Sequence, residues 1–200
     1  MNHQDRTNAR PHRSPHGATQ EGTHEGTQAG THEGTQERAY EAAAALRKVT
    51  AGVVDTSSII YMIKAGFMDR LAFELDLTTP SAAAEETGWP RLPVRISTVQ
   101  PALTADDAVL ALAVQRGSPV ISEDRELLMR AGAAGIRYFN SLMMLNLLAD
   151  RGRCDVGEYA LFRDRLREIG RYSAEVLAFA DGVAAAMGVP GERDADHPGS

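Results

Sequence analysis

The sequence predicts an α/β domain: a mainly parallel central sheet flanked by helices, with more helices at its C-terminal end. Two observations point there. Short apolar segments alternate with helical patterns through short joins, the order that builds parallel sheets. Aspartates follow the apolar segments "AGVVD" and "SPVIS", at the strand ends where open parallel sheets bind ligands.

Residues 17–37 repeat every four residues as "EGTH EGTQ AGTH EGTQ". Each unit carries Gly and Thr and no apolar residue, too little to offset ordering entropy. Residues 1–38 are therefore expected to be disordered, with 39–50 ("AYEAAAALRK" and its exit) as a short helical linker. Strand one is "AGVVD", ending on Asp55. Helices are expected over 58–65 and 67–75, parted by Gly66, with Ser57 or Ser58 capping the first. "LTTP" reads as a short strand, and 81–87 as a helix stopped by Gly88 and Pro90. "VRIST" reads as a strand or an extended loop. Residues 104–117 form a helix with a Thr104 cap and a closing Gly117. "SPVIS" and "IRYF" are strands, each followed by a helix. Two further helices fall near 155–169 and 173–187. In domain terms, residues 51–150 make the α/β domain, 151–188 its C-terminal helical part and 189–200 a tail. "NSLMMLNLLA" is apolar enough for a core or for a homodimer seam, and core is the first reading.

Composition narrows the chemistry. The net charge is −6, of which residues 39–190 carry −3, so bulk electrostatic binding of nucleic acid is not expected. A local acidic metal site with a basic rim is compatible with that balance. Arginine outnumbers lysine 19 to two, which favours forked contacts to phosphate or carboxylate. Cys154 is the one cysteine, so an internal disulfide and a cysteine-built zinc site are excluded. No apolar run reaches membrane-spanning length and no apolar leader opens the chain, so a cytoplasmic location is expected. All six histidines, His3, His12, His16, His24, His32 and His197, lie in the expected tails. That removes Ser-His-Asp and histidine–metal chemistry from the folded part. No glycine-rich nucleotide loop follows strand one.

What remains is carboxylates. Asp55 ends strand one and Asp124 follows "PVIS". Asp106 and Asp107 open a helix, and Glu85 and Glu86 lie on the helix after "LTTP". Two unit charges about 4 Å apart repel by roughly 4 kcal/mol at an effective dielectric near 20, so a convergent set needs a divalent cation or protons. Oxygen-only ligands select Mg²⁺ or Mn²⁺. Each residue also has a purely structural reading. Thr104-x-x-Asp107 is a capping-box variant, Asp124 could be an N-cap, and Glu85 and Glu86 could be a solvated helix face. Asp55 has the weakest structural explanation, because serines behind it are available as caps.

The stretches "VVDTSSIIYMIKAGFMDRL", "TTPSAAAEE", "LTADDAVLALAVQRGSPVISEDRELL" and "GIRYFNSLMMLNLL" resemble the PIN-domain family of metal-dependent nucleases. With "DVGEYALFRDRLREIGRYSAEVLAFADGV" they look most like small prokaryotic PIN proteins, including VapC-type toxins, over about residues 51–185. Ala82, Ala83 and Ala84 depart from the bulkier residues expected before the Glu, and the repetitive N-terminus has no family counterpart. The resemblance implies a three-layer sandwich and a ribonuclease that hydrolyses RNA phosphodiesters with Mg²⁺ or Mn²⁺. Asp55, Glu86, Asp107 and Asp124 would hold the metal, with Asp107 preferred to Asp106 and Glu86 to Glu85. Thr56 and Ser122 would aim the carboxylates. Lys64, Arg125 and Arg130 are candidate contacts to the substrate backbone. Arg163, Arg165, Arg167 and Arg171 are a second basic stretch, or a solvated helix face. An antitoxin protein is the implied partner. The competing reading is a PIN-like fold that binds protein or RNA without catalysis. A HAD-type phosphatase also opens on a strand-end Asp, but it needs a second Asp where this chain has Ser57.

Overall fold

The structure is a computed structural model and describes residues 29–99 and 104–189, with side chains from residue 34 onward. In chain order its elements are α1 Ala29–Arg47, β1 Ala51–Val54, α2 Thr56–Ala65, α3 Met68–Glu74, β2 Asp76–Pro80, α4 Ser81–Glu86 and β3 Arg95–Ser97. Then come α5 Ala105–Arg116, β4 Val120–Ile121, α6 Arg125–Ala133, β5 Tyr138–Phe139, α7 Ser141–Asp150, α8 Val156–Ile169 and α9 Ala174–Ala186. The five strands form one sheet in the order β3-β2-β1-β4-β5, every pair parallel. This is the expected α/β sandwich, helices on both faces. "VRIST" resolves as a strand, pairing with β2 through Thr78↔Arg95 and Thr79↔Ile96.

Strand alternation sends neighbouring side chains to opposite faces. Val54 and Ile121 enter a large cluster with α1, α2, α3, α7, α8 and α9. Val53 and Val120 enter a small one with Ala83 of α4, Val109, Leu112 and Ala113 of α5, and Leu127 and Ala131 of α6. Gly52 of β1 lies close against the Ile121 side chain. A Cβ there would stand 2.6 Å from Ile121 Cδ1 on β4. Gly66 ends α2 at φ 97°, and its N–H donates to Met62 O and Ile63 O, so the chain can turn into α3. Residues Ser141–Leu148 of α7 are all buried within this one chain.

Two expectations about the N-terminal region change. Residues 29–38, read as disordered repeat, form the first half of α1. Residues 39–50, read as a linker, belong to the core: Ala39, Ala43, Leu46 and Val49 are buried in the large cluster. Arg47 donates to the Asp150 carboxylate at 2.8 Å and to Met187 O at 2.9 Å. Ala39, Ala43 and Leu46 recur at helical spacing, and the helix they form packs on α9. Once that packed half exists, each added residue gains a hydrogen bond for one residue ordered, so the helix extends back into the Gly-Thr repeat. The disorder expected of residues 1–28 and 190–200 lies outside the described residues, whereas Val189, read as the head of the C-terminal tail, is buried in the large cluster. Among the described residues no helix is long and apolar enough to cross a membrane.

Candidate functional site

The sheet order reverses between β1 and β4, and a cleft of about 150 Å³ opens at the carboxyl edge there. Asp55, Thr56, Ser57, Ala83, Glu86, Ala105, Asp106, Val109 and Asp124 line it.

Asp55 follows β1 directly, and its N–H still donates to Ile121 O of β4 at 3.1 Å. Its backbone is extended, and its own side chain caps α2: Oδ1 accepts the Ser58 N–H at 2.7 Å. The cap is therefore Asp55 itself, not Ser57 or Ser58 as expected, because α2 starts at Thr56, two residues before the helix expected over 58–65. Oδ2 accepts the Ser57 hydroxyl at 2.7 Å and the Ser122 hydroxyl at 2.5 Å. Burial pushes the Asp55 carboxyl above the ordinary range, and the bonds from Ser122, Ser58 and Ser57 work against that rise.

Ser122 joins the two strand ends. Its hydroxyl donates to Asp55 and accepts the Asp124 N–H at 2.9 Å. Asp124 caps α6 through Oδ1, which accepts the N–H groups of Glu126 at 2.7 Å and Leu127 at 3.0 Å. Its Oδ2 is left for the cleft. Thr56 Oγ1 lies 2.8 Å from Glu86 Oε2 and 3.0 Å from Ala83 O, so one hydroxyl proton is shared between them. Glu86 of the adjacent pair lines the cleft, and Glu85 does not.

The pair on α5 divides differently from expectation. Asp106 lines the cleft, whereas Asp107 does not. Asp107 closes the helix start: its N–H donates to Thr104 Oγ1 at 3.2 Å, and that hydroxyl donates to Asp107 Oδ2 at 2.7 Å. Its other oxygen pairs with Arg130 of α6. The Thr104 hydroxyl and then the Arg130 guanidinium hold Asp107 below the usual carboxylate range. Asp106 is pushed up, by burial first and then by the negative charge of Asp124, with Glu86 and Asp107 adding to it. One residue is a 100° turn of helix, and the capping position taken by Asp107 is what aims Asp106 into the cleft. A Thr cap three residues before an Asp was the sequence signal for this.

Glu123 was not read from the sequence as part of any site. It is half-buried behind the cleft and accepts the Ser141 N–H at 2.6 Å. Burial raises its carboxyl, opposed by Ser141 and Tyr172, and the charge of Asp55 adds to the rise. Of the basic candidates, Arg130 is committed to Asp107, and Arg125 is exposed beside Asp124. Lys64 is in the last turn of α2, about 13 Å along the helix from the Asp55 end. In the second basic stretch, Arg163 pairs with Asp181 at 2.5 Å and Arg165 donates to Ala65 O at 3.2 Å.

The donors fit a hard divalent cation in kind. They are all oxygen, and the charge of Asp106 is disfavoured by its carboxylate neighbours. Asp106 and Glu86 Oε1 accept no hydrogen bond among the described residues. As they stand, no three such groups among the described residues are close enough to hold an ion.

No family model and no curated protein matches the chain. A solved structure of a PilT N-terminus domain protein from the hyperthermophilic archaeon Sulfolobus solfataricus P2 is similar at TM-score 0.35 and 10% identity. The match covers 62% of this chain and 96% of that one.

Proposed function

We propose that the chain is a PIN-like, Mg²⁺- or Mn²⁺-dependent ribonuclease that hydrolyses RNA phosphodiester bonds. One observation carries the reading: Asp55 and Asp124 from two strand–helix joins, Glu86 of α4 and Asp106 of α5 line one cleft at the sheet's switch point. A divalent cation bound there would supply Lewis acidity toward the phosphate and the attacking water. The chain's part is placement. Asp55 is fixed by three hydrogen bonds, Ser122 couples it to Asp124, and Thr56 holds one oxygen of Glu86. Glu86 and Asp106, with carboxylate oxygens uncommitted to other residues, are the groups left to orient a water or complete the ligand set. A protein antitoxin is the partner this reading calls for.

A second reading rests on its own observation. Both Asp55 oxygens are committed to hydrogen bonds, and among the described residues no three carboxylates stand close enough to hold an ion, which favours a non-catalytic module binding protein or RNA. Incubation of the purified chain with RNA and Mn²⁺, with and without chelator, decides between them. Chelator-sensitive cleavage is expected, with loss of about 10²-fold or more in Asp55→Asn and Asp106→Asn. Equal cleavage by the wild type and both variants would sink the assigned site. Wild-type protein that neither cleaves RNA nor binds Mn²⁺ would favour the binding module.

A further inference from the structure

The turn Ser122-Glu123-Asp124 joins β4 to α6. Its outer members serve the cleft: Ser122 holds Asp55, and Asp124 lines the cavity. Glu123 is turned elsewhere. It accepts the N–H of Ser141, the first residue of α7, at 2.6 Å. The hydroxyls of Ser141 and Tyr172 both lie against its carboxyl. Both hydroxyl oxygens are buried, and among the described residues neither makes a hydrogen bond of good geometry, to Glu123 or to any other group. Tyr172 comes from the join between α8 and α9. Burial and the Glu123 charge push its phenol upward, so it keeps its proton. The Ser141 N–H is one of the unsatisfied donors at the start of α7, and Glu123 satisfies it from the turn that carries Ser122 and Asp124. Asn140 already caps α7, accepting the Met143 N–H at 3.0 Å.

We infer that Glu123 is a positioning residue for the cleft. The hydrogen bond it accepts from the Ser141 N–H pins the middle of the β4–α6 turn to the start of α7, with the buried Tyr172 side chain close by. That fixes Ser122 and Asp124 on either side of it and, through Ser122, the aim of Asp55. The helices after β5 thereby gain a part in the site without touching it. Its metal-affinity consequence rests on the proposed metal-dependent reading.

The test is Glu123→Ala beside Glu123→Gln and Tyr172→Phe, all in the full chain and well below their unfolding temperatures. Amide hydrogen exchange resolved by NMR is the first readout. Glu123→Ala should speed exchange about tenfold or more at Ser58, Glu126 and Leu127, whose N–H groups bond to Asp55 and Asp124. Glu123→Gln keeps a carbonyl acceptor for the Ser141 N–H and should restore most of the protection. Tyr172→Phe should fall between. Faster exchange confined to Ser141 and Met143 would make Glu123 only an extra cap for α7 and overturn the inference. Mn²⁺ affinity, by titration calorimetry, is the second readout, and should weaken about 10- to 100-fold in Glu123→Ala. Unchanged affinity in folded Glu123→Ala would also overturn it. If the wild type binds no Mn²⁺, the metal reading fails by itself, and the exchange pattern still decides whether Glu123 positions the cleft.

Discussion

The two faces of the sheet are built to different depths. One buries α1, α2, α3, α7, α8 and α9 over Val54 and Ile121, with Phe67, Leu71, Met144 and Leu145 filling it. The other places only α5, α6 and part of α4 over Val53 and Val120, and much of its apolar contact is alanine: Ala83, Ala113 and Ala131. Glu86, Asp106 and Asp124 belong to helices or helix caps of that shallow face. Asp55 alone caps a helix of the deep one. Small side chains let α4, α5 and α6 start close to the sheet edge, which brings like charges together. The deep face supplies the stability that such a cluster lowers. The alanine run before Glu86, a departure from the family pattern in the sequence, is part of this close approach, with Ala83 and Ala84 buried.

The largest test of this contrast is core truncation. Leu145 and Leu112 are both almost fully buried, on the deep and shallow faces respectively. Leu145→Ala should cost about 4 kcal/mol and Leu112→Ala about 2 kcal/mol, because a thin layer can relax around its cavity and a deep one cannot. Denaturant midpoints at unchanged m-value measure this, and the reverse order would break the comparison. Mn²⁺ affinity should respond the other way, falling in Leu112→Ala, whose helix carries Asp106, and holding in Leu145→Ala.

Next in size is a chemical probe of the deep face. Cys154 packs in its cluster, and burial pushes the thiol to about 11. Against a free thiol near 8.5, the thiolate at pH 8 is then roughly a hundredfold scarcer. Iodoacetamide should label the native protein at least that much more slowly than the unfolded chain. The folded pKa is the higher one, so the thiol's contribution to stability is whole below about 8.5 and is lost as pH rises toward about 11. Fast native labelling would mean that this part of the deep face opens readily.

Those depths also explain what could be read in the sequence. Strand order apart, the alternation of apolar strands and capped helices is local, and β1, β2, β4 and β5 fall where "AGVVD", "LTTP", "SPVIS" and "IRYF" place them. Asp55 and Asp124 reach the cleft because strand ends put them at one edge of the sheet. Three features depended on packing partners far along the chain and were not legible. The course of α1 depends on α9, more than a hundred residues later. The exchange of Asp106 for Asp107 has one local signal, the Thr104 cap, but its outcome also rests on Arg130, which draws one of the two adjacent carboxylates away. Glu123 acquires a role only when Ser141 and Tyr172 close over it.

The smallest expected effect is the sharpest, because it compares adjacent residues. Asp106 and Asp107 occupy one helix start, so any benefit from the helix dipole is common to both and cancels in their difference. Burial and neighbouring carboxylates raise the Asp106 pKa, so its ionised form costs stability once pH rises above the unfolded value near 3.9. Thr104 and Arg130 lower the Asp107 pKa, so its ionised form stabilises above that value, and the gain is lost as pH falls through the folded pKa. At pH 7 and low salt, Asp106→Asn should therefore melt above Asp107→Asn. The gap should close as pH falls through the folded pKa of Asp107, below which wild type and both variants carry neutral groups there. It should also shrink with salt, since both carboxylates are open enough to solvent for screening to weaken their charge interactions. Saturating Mn²⁺ should reverse the order if Asp106 is a ligand, because a ligand bound only by the folded state raises its stability by mass action, and Asp106→Asn forgoes that gain. Should Mn²⁺ instead raise the melting temperature of Asp106→Asn and leave Asp107→Asn unmoved, the carboxylate that meets the cation is Asp107, and Arg130 releases it on binding.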